Sequence, residues 1–75
     1  MNTNILLDEL ILGNSYKYDD LLQIAYNDEQ LSFEEFGQEV IGFLILQLYD
    51  ENMCWTFILD GTLGNNYLMK FVNKA

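Results

Sequence analysis

Twelve carboxylates are the side chains of this 75-residue chain best able to do chemistry, and eleven of them come in groups: Asp8/Glu9, Asp19/Asp20, Asp28/Glu29, Glu34/Glu35/Glu39 and Asp50/Glu51. Grouped carboxylates support three kinds of chemistry: general acid–base work, coordination of a hard cation, or attraction of a cationic partner. A glycosidase-type pair needs two carboxylates across a cleft, one with its pKa raised by burial, and so short a chain has little room for that cleft. A calcium loop needs oxygen ligands at alternate positions and a late bidentate Glu. The run Asp60-Gly61-Thr62-Leu63-Gly64 puts Gly and Leu inside the loop and has no Glu behind it. The third chemistry fits best. Only Lys17, Lys70 and Lys74 oppose the carboxylates, for a formal charge of −9 and a pI near 4.1.

The remaining composition removes other reaction classes. With no His there is no Ser-His or Cys-His nucleophile pair and no imidazole metal ligand. One cysteine, Cys54, makes neither an internal disulfide nor a thiolate zinc site. With no Arg the usual bidentate reader of phosphate and guanine is missing. Three lysines cannot supply the several phosphate contacts of a typical DNA binder, so no direct nucleic-acid contact is expected. The chain is read as non-enzymatic, with no cofactor and no metal.

These groups must be placed by a single domain spanning residues 1–75. Hydrophobic residues make up 51% of the chain, far too many for an acidic disordered tail. A domain this short hides only about 60% of its unfolded surface, so a dimer or a partner that covers more of it is expected to help. The opening Met1-Asn2-Thr3-Asn4 lacks the basic region of a secretion signal, and with the lone Cys54 this predicts a cytoplasmic protein. The longest apolar run, Val40–Leu46, is far short of the roughly 18 residues of a membrane span.

Periodicity and punctuation predict the elements. Asn4 to Leu12 reads as a helix stopped by Gly13 and Asn14. Tyr16-Lys17-Tyr18 reads as a short extended piece. Asp19 to Tyr26 reads as a second helix, with its aspartates at the positive end of the helix dipole. Ser32-Phe33-Glu34-Glu35 fits a capping box. A third helix is then expected over Phe33–Tyr49, with Phe33, Phe36, Val40, Ile41, Leu44 and Leu48 on one face and Glu34, Glu35, Gln38 and Glu39 on the other. Ile45 and Leu46 blur that period, so a buried strand over Val40–Tyr49 is the alternative. Met53–Leu59 and Tyr67–Val72 read as two strands of a hairpin joined by a loop over Asp60–Asn66.

This order of elements resembles a winged helix-turn-helix domain, carried by Leu6–Leu12, Tyr16–Ala25, Phe33–Leu48 and a wing from Cys54 to Val72. The resemblance implies an α+β fold of three helices and a C-terminal antiparallel hairpin. The strand alternative would instead give helices with a three-stranded antiparallel meander. In the winged-helix family the third helix enters the DNA major groove. Here it would carry Glu34, Glu35 and Glu39 and no cation, so DNA binding does not carry over. In size, charge and lack of catalytic groups the chain is similar to small acidic phage-type inhibitors, such as anti-CRISPR and DNA-mimic proteins.

Two surfaces follow as candidates for partner binding. The acidic one comprises Asp19, Asp20, Glu34, Glu35, Glu39, Asp50 and Glu51, and suits a basic protein. On a helix, Glu35 and Glu39 would repel by roughly 0.2–0.5 kcal/mol with no lysine to relieve them, a cost that a cationic partner recovers. The apolar one comprises Trp55, Phe57, Tyr67 and Phe71, on a hairpin largely apolar on both faces, and would serve a docking module or a homodimer, with the charge acting only for solubility. Trp55 is equally a candidate interface anchor and a candidate core residue.

Overall fold

The strongest β-forming stretch of the chain lies in the middle of a sheet, because its backbone needs partners along both edges. The computed structural model describes residues 6–28, 31–38 and 43–75. A short 3-10 turn, Leu7–Glu9, leads into strand β1 (Ser15–Lys17) and helix α1 (Tyr18–Asn27). Strands β2 (Ser32–Gln38), β3 (Phe43–Asp50), β4 (Met53–Leu63) and β5 (Asn66–Lys74) follow. They form one antiparallel sheet in the order β1-β5-β4-β3-β2.

The winged-helix arrangement of three helices and a hairpin is not formed. In place of the helix expected over Phe33–Tyr49 there are two strands, β2 and β3, paired from Ser32↔Tyr49 to Gln38↔Phe43. The physical reason is the outer edge of β4. With 33–49 helical, β4 would lack a partner on that side, whereas β3 supplies one from Ile45↔Ile58 to Asp50↔Met53. Tertiary pairing outweighs the local capping signal at Ser32. The strand alternative over Val40–Tyr49 lies closer, but its three-stranded meander is also exceeded by the five strands present. Glu39, Val40, Ile41 and Gly42 lie outside the described residues, as do Asn4 and Glu29. The helix expected over Asn4–Leu12 is, where described, the single turn Leu7–Glu9. Asp60–Asn66 is no open loop either. Its glycines let β4 and β5 run on through it: Gly61 (φ 95°) sits at the bulge between Leu59 and Thr62, and Gly64 (φ 61°) in the tight turn after Leu63.

Helix α1 lies within one residue of the expected boundaries at both ends, and buries Leu21, Ile24 and Ala25, the i, i+3, i+4 stripe of an amphipathic helix. It packs on one face of the sheet against Leu46, Leu48, Trp55, Phe57, Met69 and Phe71, joined by Leu10. Trp55 is 3% exposed and Phe57 0%, so both are core residues, and Phe71 at 2% joins them. The Phe57 and Phe71 rings lie 5.1 Å apart. Alternation along each strand sends Ile45, Gln47 and Tyr49 of β3, Cys54, Thr56 and Ile58 of β4, and Leu68 and Lys70 of β5 to the other face. None of these belongs to the core group or to the side chains packed against it. No helix among the described residues is long and apolar enough to cross a membrane.

Candidate functional site

The first turn of α1 carries Asp19 and Asp20, both exposed, next to the backbone N–H groups that a helix start leaves without internal partners. One residue earlier, the Tyr18 hydroxyl donates a hydrogen bond to Glu35 Oε1. Glu35 pairs with the buried Leu46 in the register, so β2 turns it to the helix side of the sheet. A carboxylate from the edge strand is thereby tied to the start of the helix. Burial first, then the hydrogen bond to Glu35 and its charge, hold the Tyr18 phenol well above its ordinary value, with smaller contributions from Tyr26 and Asp19. Glu35 and Asp19 thus act on the same phenol, and share one local field.

Two edge-to-face aromatic pairs involve α1. Tyr18 meets Tyr67 edge to face at 6.3 Å, and Tyr26 meets Phe33 at 5.7 Å in the same geometry. Tyr67 is 50% exposed, Tyr26 61% and Phe33 36%. Aromatic rings offer contact area and a negative π face to a cation. Of the three lysines, Lys74 is on the helix side, opposite Trp55 in the register. Lys74 Nζ sits 5.5 Å from the Trp55 ring centroid. Lys17 and Lys70 share, by register with Leu68 and Ile58, the face away from the helix.

Of the seven expected acidic residues, the structure brings Glu35 and Asp19 to the same phenol, with Asp20 beside Asp19 in the first turn. Glu34, next to Glu35 on a strand rather than a helix, points to the opposite face. Asp50 ends β3 and Glu51 begins the two-residue turn to β4 with φ 44°. Glu39 lies outside the described residues. Of the apolar hairpin set, Trp55, Phe57 and Phe71 are consumed by the core, and Tyr67 alone is exposed. Sequence reasoning missed Tyr18, Tyr26 and Phe33 as parts of one surface. For Tyr18 and Tyr26 a signal existed, since they stand at the two ends of the α1 pattern. The Phe33 position depends on a strand pairing that local periodicity does not encode. Among the described residues, no group of three or more Asp, Glu or Cys is placed to hold a metal ion.

Comparison with protein-family models, with curated proteins and with solved structures finds no match for this chain.

Proposed function

We propose that the protein is a non-enzymatic binding module, an inhibitor that presents its acidic helix-side surface to a basic nucleic-acid-processing enzyme, in the manner of DNA-mimic proteins of the anti-defence type. The observation that carries this reading is the Tyr18–Glu35 hydrogen bond. It gathers carboxylates of two elements, Glu35 of β2 and Asp19 and Asp20 of α1, on one surface, while Lys17 and Lys70 lie on the other face. Such a separation of charge costs electrostatic free energy in the free protein, and a cationic partner recovers it. Tyr26, Phe33 and Tyr67 supply apolar contact beside the charges, the mixture that interface centres favour. The hairpin docking reading loses its anchors, because Trp55, Phe57 and Phe71 are buried.

The test is affinity capture from a cell lysate at graded salt, using wild type beside an Asp19→Lys, Asp20→Lys, Glu35→Lys variant checked for folding by circular dichroism. Retention of a basic nucleic-acid enzyme by wild type alone, lost as salt rises, is the expected result. Capture of the same proteins by both, or capture indifferent to salt, would refute the reading.

A further inference from the structure

We propose that the sheet face turned away from α1 is a homodimer interface, formed with a second copy of this chain about a two-fold axis running along the strands. No described residue of the core group or the helix packs on this face, and Ile45, Ile58 and Leu68 stand on it half-buried. Its polar side chains bond to one another: Tyr49 Oη donates to Gln47 Oε1 at 2.7 Å, and Gln47 Nε2 donates to Thr56 Oγ1 at 3.2 Å. These three central groups are already paired and lose little when water is removed.

Charge selects the occupant. The chain carries a net −9, yet this face holds two of its three lysines, Lys17 and Lys70, against Glu34 and Asp60. Asp60 accepts from Ser15 Oγ at 2.9 Å, which places it on this side. Among the described residues the open face is therefore locally balanced on a strongly negative molecule, and is where a second copy is repelled least. The charges are also spread laterally. Lys17 and Lys70 lie on β1 and β5, while Glu34 lies on β2 at the far edge. Glu34 is three strands from Lys70, about 14 Å at the usual strand spacing, too far to pair within one chain.

Packed sheets keep their strands roughly aligned, which leaves two choices of axis. An axis across the strands keeps the lysine-bearing edges of the two copies together and the Glu34-bearing edges together. An axis along the strands brings the β1–β5 side of each copy over the β2–β3 side of the other and sets Lys70 toward Glu34, two residues apart along the strands. It also runs along β4, the central strand, so that Cys54 faces the partner copy's equivalent across the sheet spacing of about 10 Å.

The experiment is sedimentation equilibrium on the full chain with charge-swap variants. Wild type is expected to dimerise. Lys70→Glu and Glu34→Lys are each expected to weaken the dimer by about tenfold or more, and the double variant to restore it to within a few-fold of wild type. Ile58→Asp should leave a folded monomer. A short bifunctional thiol reagent should cross-link wild type through Cys54. Asp19→Lys, on the other face, should not weaken the dimer, since it only lowers the net negative charge, and this separates the test from that of the acidic surface. A monomer at every concentration, a dimer indifferent to the single swaps, or a double swap weaker than either single variant would overturn the proposal.

Discussion

Leu46 and Ile45 are chain neighbours that the sheet treats in opposite ways, and substituting each with alanine tests the architecture directly. Leu46 is 0% exposed and lies opposite Phe57 in the register, inside the core. Removing a fully buried Leu side chain costs about 2–5 kcal/mol, transfer and cavity terms together. A 75-residue domain has about 4–11 kcal/mol in all, at the usual stability per residue. Leu46→Ala therefore removes a large share of the total. Ile45 is half-buried on the open face, where collapse and solvent leave no closed cavity, so Ile45→Ala should cost about 1 kcal/mol. Urea unfolding followed by circular dichroism, at concentrations low enough for a monomer, reads both. With a slope of about 1 kcal/mol per molar, the Leu46→Ala midpoint falls by roughly 2 M or more and the Ile45→Ala midpoint by about 1 M. In a helix over Phe33–Tyr49, Leu46 would lie off the apolar stripe and its truncation would be nearly silent. Equal midpoints, or a larger loss at Ile45, would refute the sheet assignment.

Three further outcomes follow from single contacts. Glu51→Gly should raise stability by about 1 kcal/mol, because φ 44° suits glycine and strains glutamate; an unchanged or lower thermal midpoint would argue against that backbone. Lys74→Ala should cost about 0.5–1 kcal/mol and alter the emission of Trp55, the one tryptophan, since the ammonium sits over its ring. Tyr18 has its folded pKa raised above the unfolded value near 10, so the unfolded chain loses that proton first. Its contribution is complete below pH 10 and is lost as pH rises beyond it. Tyr18→Phe should flatten that alkaline decline in urea midpoints, and an identical pH profile for both proteins would contradict the Glu35 contact.

The second helix and the two terminal strands were legible because their signals are local. Leu21, Ile24 and Ala25 repeat at the helical period, and the aspartates mark the start. Met53–Leu59 and Tyr67–Val72 alternate and lie within the strands found. From Ser32 to Tyr49 the favoured helix was wrong, since two true local signals pointed that way, although the blurred period at Ile45 and Leu46 left a strand over Val40–Tyr49 open and β3 lies largely within it. A capping box and an apolar stripe at helical spacing both existed, and both were outweighed by the need of β4 for a neighbour. Gly37, unfavourable by about 1 kcal/mol in a helix interior, was the local sign against the helix. The misassignment propagated to the site. On a helix Glu34 and Glu35 share a face, whereas on a strand they part, Glu35 to Tyr18 and Glu34 to the open side. The burial of Trp55 could not be read at all, because its strand is apolar in both directions and only the helix position chooses the inner one.

The two surfaces should respond to salt with opposite signs, and that sign follows from where the charge lies. Binding of a basic partner to Asp19, Asp20 and Glu35 is an attraction between exposed charges, so raising ionic strength past the point where the Debye length is about 10 Å weakens it. Dimerisation brings together two chains of −9 each, whose long-range term is repulsive. Salt screens that repulsion, while the Lys–Glu34 contacts at the interface are shorter and less screened. Added salt should therefore tighten the dimer over the same range that loosens the partner complex. The Lys70→Glu, Glu34→Lys double variant keeps the same net charge and should show the same slope. Sedimentation equilibrium at several salt concentrations measures it. A dimer that weakens with salt as steeply as the partner complex would mean that charge attraction between acidic and basic patches holds it together, and would remove the balanced face as its cause.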